Sequence, residues 1–135
     1  MKHFHVVGAI IEHDGLILCM QRPAGKYPST DLKWEFPGGK IEEGETGPEA
    51  LMRELREEMD MDVTVHEEDY YCTVHHVYPE FELTMDLYLC RVSEPRFTRK
   101  EHVAHVWLPP EMMPALDWAA ADYPVVEKIL GGNIK

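Results

Sequence analysis

Apolar and polar residues follow different periods along this chain, and each period predicts a different element. Residues 4–12 are nearly all apolar, as expected of a strand covered on both faces, and a short turn leads into a second strand at 16–22. Turn-forming residues fill positions 23–33, which predicts a loop that can border a pocket. Residues 34–37 then form a short apolar strand running into the glycine pair 38–39, where backbone can approach a ligand closely.

The second half of the chain predicts a hairpin and a last strand. Residues 63–78 and 81–92 form the two arms of the hairpin, with Pro79-Glu80 at the turn. In the second arm, apolar side chains alternate with glutamate, threonine and aspartate, which indicates a strand covered on one face. Residues 105–108 predict a final short strand.

Two segments predict helices. Residues 47–60 carry an apolar stripe in which every fourth residue is leucine or methionine. The stripe consists of Leu51, Leu55 and Met59. Thr46 and Glu49 have capping-box spacing, and Pro48 falls in the first turn, where its missing N–H costs nothing. Residues 123–130 predict a closing helix that ends at a glycine pair. Together the elements predict an α/β protein with a mixed sheet and helices on both sides.

Length and charge limit the classes of protein to consider. The 135 residues suit one domain, residues 1–135, and no linker or repeat divides them. A formal net charge of −12 repels the phosphates of DNA and RNA, and no cluster of lysine and arginine reverses this locally. A nucleic-acid module is therefore not expected, and the sequence leaves a monomer and a homodimer equally open.

The remaining composition gives no sign of a membrane protein or a disulfide framework. The apolar run at 6–11 is too short for a membrane span and is no convincing signal peptide, so a cytoplasmic protein is expected. Three cysteines without CxxC spacing are expected to be buried thiols. His5, His75 and His76 alternate with apolar residues and are expected in the core or on the surface, since magnesium prefers oxygen ligands.

Three glutamates, Glu54, Glu57 and Glu58, occupy positions i, i+3 and i+4 of the first predicted helix. Their carboxylates therefore emerge from one helical face within about one turn of each other. Like charges at this spacing repel each other unless a cation lies between them, and Mg²⁺ binds oxygen ligands of this kind. The cluster indicates a metal site, for which the alternative is a solvated acidic face.

Residues 39–61 resemble the Nudix box, G-x5-E-x7-R-E-U-x-E-E-x-G-U, in which U is a bulky aliphatic residue. The positions in register are Gly39, Glu45, Arg53, Glu54, Leu55, Glu57, Glu58 and Met61. Asp60 replaces the last glycine of the pattern, and aspartate is among the few residues that tolerate the left-handed conformation expected there. This replacement is expected to alter the stability of the protein and to leave its catalytic chemistry intact. The resemblance implies the α/β/α Nudix sandwich with a mixed β-sheet across essentially the whole chain.

The resemblance also implies a hydrolase that splits a phosphoanhydride with Mg²⁺, or with Mn²⁺ in its place. The implied metal ligands are Glu54, Glu57, Glu58, the backbone carbonyl of Gly38 and a carboxylate from a later loop. Glu101 is the candidate for that carboxylate, and an exposed loop glutamate is the alternative interpretation. Glu54 is the favoured acceptor of the proton from the attacking water.

Sequence beyond the box resembles the MutT-like branch, whose members convert nucleoside triphosphates to the monophosphate and pyrophosphate. Arg22 and Lys40 occupy positions that resemble phosphate contacts of that branch, and idle surface charges are the alternative. We expect Arg53 and Glu57, together with Glu54, to be the catalytic residues. Because Arg53 precedes Glu57 by four residues, we expect an ion pair that orients the helix and its ligands.

The residue expected to recognise the base is Asp122. It stands in a segment, 121–125, that resembles the stretch where bacterial MutT places an asparagine that recognises 8-oxoguanine. An ionised carboxylate accepts hydrogen bonds without donating any, so Asp122 suits a base edge with donors, such as the cytosine 4-amino group. A helix N-cap is the alternative for Asp122. Tyr78 is a second candidate for base contact, although Tyr78, Phe36 and Trp118 are more typical of a core.

The leading hypothesis is thus a Mg²⁺-dependent pyrophosphohydrolase that clears a nucleoside triphosphate of the 8-oxo-dGTP or cytidine type. A dinucleoside polyphosphate or a nucleotide sugar is the alternative substrate, because Tyr78 lies at a distance from the box that some dinucleoside polyphosphate hydrolases use. A non-catalytic nucleotide sensor is a third hypothesis. Such proteins usually lack the metal-binding glutamates, and all three are present here.

Overall fold

The computed structural model describes residues 1–133. Its strands are β1 (His3–His13), β2 (Leu16–Gln21), β3 (Trp34–Glu35), β4 (Gly38–Lys40), β5 (Tyr70–Val77), β6 (Glu82–Arg91) and β7 (Ala104–Leu108). Its α-helices are α1 (Gly47–Met59) and α2 (Tyr123–Lys128). Two 3₁₀ turns, Glu67–Asp69 and Pro110–Ala115, and a wider π-type turn, Ile129–Asn133, complete the described elements.

The strands form a mixed sheet, as the sequence predicts, and their order is β3-β2-β1-β6-β5. β1 and β6 are parallel and pair along most of their length, from His3 opposite Glu82 to Glu12 opposite Arg91. The pairs β1–β2, β2–β3, β2–β7, β1–β4 and β5–β6 are antiparallel. Residues 7–11 of β1 are buried on both faces, which explains the nearly continuous apolar run in that strand.

β1 and β2 diverge beyond their turn, and the glycine pair fills the opening between them. β4 pairs with β1, with Gly38 opposite Gly8 and Gly39 opposite Val7, while β3 pairs with β2. A Cβ on Gly38 would lie 1.9 Å from the Val7 carbonyl oxygen, so this close approach requires glycine. The glycine pair is therefore held firmly beside the centre of the sheet.

The sheet has a hydrophobic core on each face. On one face, the predicted stripe of α1 packs on a cluster that includes Val7, Ile11 and Leu18. On the other face, α2 and the segment before it bury Val125, Val126 and Trp118 against the sheet. Helices therefore cover both faces, and the predicted α/β/α sandwich is confirmed.

The first arm of the predicted hairpin is shorter than expected, because β5 begins at Tyr70 rather than at residue 63. Residues 61–65 alternate between buried and exposed, as in a strand, but their buried side chains pack on the core beneath α1 outside the sheet. The 3₁₀ turn Glu67–Asp69 then separates this segment from β5. The periodicity predicted correctly which of these residues are buried. It could not show that the segment does not pair with a strand of the sheet.

The remaining predictions differ from the structure by a few residues. The hairpin turn is confirmed, with the Tyr78 N–H donating to the Phe81 carbonyl at 2.8 Å. The closing helix is shorter than predicted, since α2 ends at Lys128 and the π-type turn follows. Cys19 and Cys90 are buried, as expected, and Cys72 is half-buried. No helix in the described residues combines the length and the apolar character needed to cross a bilayer.

Candidate active site

Helix α1 begins and ends where the sequence predicts. Thr46 Oγ1 accepts a hydrogen bond from the Glu49 N–H at 3.2 Å, and Glu49 Oε1 accepts one from the Thr46 N–H at 2.9 Å. These contacts complete the capping box. Asp60 follows the helix in the left-handed conformation (φ 51°), and its N–H donates to the Arg56 carbonyl at 3.1 Å. Local contacts therefore fix both ends of the helix that carries the three glutamates.

Arg53 is the centre of the hydrogen bonds around the glutamates. Its Nε donates to Glu45 Oε2 at 2.6 Å, and its Nη1 donates to Glu54 Oε2 at 3.0 Å and to Glu57 Oε1 at 2.9 Å. Its Nη2 donates to the Lys40 carbonyl at 3.0 Å, which joins the helix to β4. The predicted ion pair with Glu57 is present. Because the Arg53 side chain bonds to protein groups from three segments, its geometry is that of a positioning residue.

The carboxylates of α1 lie close to a further carboxylate, that of Glu101. Burial raises the pKa of Glu54; Arg53 opposes this effect, and repulsion from Glu57 and Glu101 adds to it. Burial, and then the neighbouring Glu101 carboxylate, also raise the pKa of Glu58. A divalent cation would relieve this repulsion, and an all-oxygen set suits Mg²⁺. Within residues 1–133, however, no three of these carboxylates bring their oxygens within 4.8 Å of one another, since Arg53 holds two of them.

Lys100 holds the loop that carries Glu101 against the end of α1. Its Nζ donates to Asp60 Oδ1 at 2.9 Å and to the Glu57 carbonyl at 3.0 Å. The Thr98 N–H donates to the carbonyl of the last helical residue at 2.9 Å. Asp60, which replaces the glycine of the box, thus makes a side-chain contact that glycine cannot make, and its partner Lys100 directly precedes Glu101.

A cavity of about 190 Å³ lies beside the glycine pair. Its lining includes Gly38 and Gly39 together with Arg22, Lys40, Tyr78 and Asp122, the four residues that the sequence indicates for substrate contact. A Cβ on Gly39 would lie 2.3 Å from the carboxyl carbon of Glu54. The Glu54 carboxylate is therefore in contact with backbone that lines the cavity, so the acidic helix and the cavity form one continuous site.

Asp122 is buried in the wall of this cavity, with 4% of its surface exposed. Its Oδ1 accepts a hydrogen bond from the Phe36 N–H at 3.3 Å. Burial raises the pKa of Asp122 well above its usual value, the Glu35 carboxylate raises it further, and Phe36 and Arg22 oppose the shift. Asp122 occupies the N-cap position of α2, as the alternative expected, but its side chain makes no capping hydrogen bond there. Burial and the Glu35 carboxylate therefore shift Asp122 toward the neutral acid, away from the ionised acceptor assumed from the sequence.

Tyr78 is also buried, with 3% of its surface exposed. Its hydroxyl accepts a hydrogen bond from the Ala121 N–H at 2.8 Å, and burial raises its pKa to about 12. The side chain thus supports the backbone next to Asp122 and contributes one wall of the cavity. The core interpretation of Tyr78, Phe36 and Trp118 is confirmed.

Arg22 contacts a glutamate that the sequence did not single out. Its Nη1 donates to Glu35 Oε1 at 3.2 Å, and His102 Nε2 lies 2.8 Å from Glu35 Oε2. Arg22 Nε is buried without a hydrogen-bond partner in the described residues. A glutamate inside an otherwise apolar strand was the available signal for Glu35, while His102 had none of its own. Lys40 differs from Arg22 in being exposed, with its Nζ 4.4 Å from the centre of the Phe4 ring.

Comparison with known proteins identifies the family. The profile of the NUDIX domain family matches residues 6–128, which is most of the chain. The chain belongs to this family. The Nudix and MutT-like resemblance read from residues 39–61 and their surroundings is confirmed.

Similar proteins span the whole Nudix domain. A CTP pyrophosphohydrolase of Escherichia coli (strain K12) is 37% identical over 140 residues, covering 96% of this chain and 93% of the relative. An 8-oxo-dGTP diphosphatase of the same strain is 31% identical over 130 residues, covering 96% of this chain and 98% of the relative. The solution structure of the E. coli ORF135 protein has a TM-score of 0.82 at 36% identity, covering 99% of this chain and 93% of that one. The chain is therefore a Nudix hydrolase by fold and by sequence.

Proposed function

We propose that this Nudix hydrolase converts a nucleoside triphosphate to the monophosphate and pyrophosphate, and so clears modified or surplus nucleotides from the pool. The observation that carries the proposal is the contact between Glu54 and Gly39, because it joins the acidic helix to a cavity lined by basic residues and Asp122. The proposed setting is the cytoplasm, where this pool lies. A small-molecule nucleotide is the partner that the activity requires, whether the protein is a monomer or a homodimer.

The residues that would hold Mg²⁺, or Mn²⁺ in its place, are Glu54, Glu57, Glu58, Glu101 and the carbonyl of Gly38. Their mutual repulsion supports this assignment, since Arg53 is a single positive charge among several carboxylates. When bound, divalent ions would neutralise phosphate oxygens and lower the pKa of the attacking water. A triphosphate could not otherwise approach so many carboxylates without strong repulsion.

The protein's own side chains have separate tasks in the proposed reaction. Arg22 and Lys40, on the lining of the cavity, bind phosphate oxygens and orient the chain of phosphates. Water attacks phosphorus in line with the anhydride bond, that bond breaks, and pyrophosphate leaves. Glu54 accepts the proton of the water, because its carboxylate touches the backbone beside the cavity. Arg53 keeps Glu54 and Glu57 in place throughout.

The raised pKa of Asp122 changes which bases fit. A neutral carboxylic acid offers one donor and one acceptor, as an amide does. It can donate to N3 of cytosine while accepting from the 4-amino group, and it can donate to O6 of 8-oxoguanine while accepting from N7–H. CTP and 8-oxo-dGTP, which the names of the two similar E. coli enzymes contain, therefore both match a neutral Asp122. We propose cytidine triphosphates as the preferred class, following the relative with 37% identity.

The test is turnover of CTP, dCTP, 8-oxo-dGTP and the common nucleoside triphosphates with Mg²⁺, measured as kcat/KM with pyrophosphate and phosphate assayed separately. Pyrophosphate should be the product, cytidine compounds should lead, and Glu57→Gln should be far less active than wild type. Release of phosphate instead of pyrophosphate, or a Glu57→Gln variant as fast as wild type, would count against the proposal. ADP-ribose and diadenosine compounds belong in the same panel. They test the alternative substrates that the position of Tyr78 suggested, since Tyr78 also lines the cavity.

Replacing Lys100 with methionine should lower activity without altering substrate affinity. The change removes the bonds to Asp60 and to the Glu57 carbonyl, so the loop that carries Glu101 loses its anchor. The Mg²⁺ concentration for half-maximal activity should rise by about tenfold. This is the lower end of the loss of metal affinity seen when contacts that support metal ligands are removed. Arg96→Met, which removes an exposed positive charge outside the cavity lining, is the control for charge. Equal Mg²⁺ dependence of Lys100→Met and wild type would show that Lys100 does not position Glu101.

A further inference from the structure

A group of polar side chains that includes histidines and carboxylates lies on the face of the sheet that α1 covers only in part. The histidine patch consists of His3, His5, Thr73, His75, Glu82, Thr84 and Asp86. Strand register assembles it, because His3 is opposite Glu82 across β1 and β6, and His75 is opposite Thr84 across β5 and β6. The core beneath α1 includes β1 residues from Val7 onward, so the ends of β1, β5 and β6 that carry the patch stay accessible to solvent.

Three atoms of the histidine patch converge. One ligand atom each from His3, His75 and Glu82 lies within 4.8 Å of the other two. His75 Nε2 is 2.5 Å from Glu82 Oε2, and the His3 ring meets the His75 ring edge-on, with centres 5.9 Å apart. His3 Nε2 also lies 2.8 Å from Thr84 Oγ1. Two imidazoles and one carboxylate are a ligand set found in three-ligand zinc sites.

We propose that His3, His75 and Glu82 bind a divalent transition-metal ion of the Zn²⁺ class, with water completing a tetrahedral site. Zinc bonds to nitrogen and oxygen are about 2.0–2.2 Å long, so the three ligand atoms must move closer together. The side chains of His3 and His75 are exposed and can make this adjustment by rotation. The ion replaces the proton between His75 and Glu82 and the hydrogen bond between His3 and Thr84.

This site differs from the glutamates of α1 in chemistry and in place. Imidazole ligands select zinc over magnesium, whereas the glutamate set offers oxygen alone. Side chains alternate along a strand, and Phe4 and Val6 of β1 line the cavity, so His3 and His5 point away from it. A bound ion would link the start of β1 to the hairpin of β5 and β6. The bound ion would therefore act directly on the stability of the fold.

The experiment measures Zn²⁺ binding to tag-free protein in excess Mg²⁺, which keeps the glutamates of α1 occupied. Zn²⁺ is titrated against a chromophoric chelator, and Tm is measured with and without Zn²⁺. One equivalent should bind and Tm should rise, as expected of an ion that binds the folded state. His3→Gln, His75→Gln and Glu82→Gln should each weaken binding by at least about tenfold and remove the rise in Tm. Co²⁺ in place of Zn²⁺ should give the visible spectrum of a tetrahedral site in wild type but in none of these three variants.

Two controls separate this site from others. His66→Gln removes an exposed histidine outside the patch and should bind Zn²⁺ as wild type does. Glu57→Gln changes the glutamates of α1 and should also leave this binding intact. Zn²⁺ binding that survives all three patch substitutions, that disappears in Glu57→Gln, or that is absent in wild type would overturn the proposal. In each case the patch would be a set of hydrogen-bonded surface side chains.

Discussion

The Glu54→Gln variant is expected to hydrolyse its nucleotide with kcat lowered by about 10²–10⁴-fold, the usual contribution of a positioned proton acceptor. Glutamine keeps the size of the side chain and can still accept the hydrogen bond from Arg53 Nη1, which is 3.0 Å long in the wild type. It cannot take a proton from water, and it removes one charge from the carboxylate cluster. KM should change little, because Glu54 is not among the residues that line the cavity.

The same substitution should leave the metal-free protein at least as stable as wild type. Burial raises the pKa of Glu54 in the folded state. A carboxyl group with a raised folded pKa supports the fold fully below its unfolded pKa, and this support is lost as pH rises through the raised value. At neutral pH the ionised Glu54 therefore weakens the metal-free fold, and neutral glutamine removes that cost. The Tm difference between variant and wild type should grow as pH rises through this pKa.

The matched control is Glu43→Gln, which makes the same change of charge at an exposed position in the loop before α1. It should keep wild-type kcat. Thermal unfolding in added Mg²⁺ gives an independent readout, since Mg²⁺ should raise the Tm of wild type and Glu43→Gln more than that of Glu54→Gln. If kcat of Glu54→Gln stays within about tenfold of wild type, Glu54 does not accept the proton, and another glutamate must.

Helix α1 could be predicted almost to the residue because its signals are local. Thr46 and Glu49 bond to each other three positions apart, and the apolar stripe needs no knowledge of the rest of the chain. The left-handed conformation of Asp60 could likewise be expected from its place after the helix. The spacing of the glutamates on one face follows from helical geometry alone. Local rules therefore position most of the proposed metal ligands.

Contacts between distant residues could not be predicted in this way. Lys100 bonds to Asp60 across forty positions, and His102 reaches Glu35 across sixty-seven. The Asp122 pKa depends on burial and on Glu35, neither of which a local pattern shows. The start of β5 was also predicted wrongly. Strand periodicity shows which side chains are buried but not whether a partner strand is present.

Removing the carboxyl group of Asp122, as in Asp122→Ala, is expected to lower kcat/KM for the preferred nucleotide by about 10–100-fold. A pair of hydrogen bonds to a base edge is worth about 1–3 kcal/mol of discrimination, and the loss should fall on that base while other nucleotides change less. Tm of the variant shows whether the protein still folds. The substitution also leaves the Phe36 N–H without its 3.3 Å partner. For this reason the alanine variant alone cannot assign the protonation state.

Asp122→Asn separates the two protonation states, because asparagine offers a donor and an acceptor as the neutral acid does, but does not titrate. Burial raises the wild-type pKa, so the neutral acid is present below that pKa and is lost as pH rises through it. The ratio of kcat/KM for Asp122→Asn to that for wild type should therefore increase with pH. A ratio that is constant with pH, with Asp122→Asn as inactive as Asp122→Ala, would mean that the carboxylate binds the base. Asp122 would then act purely as an acceptor, toward the cytosine 4-amino group.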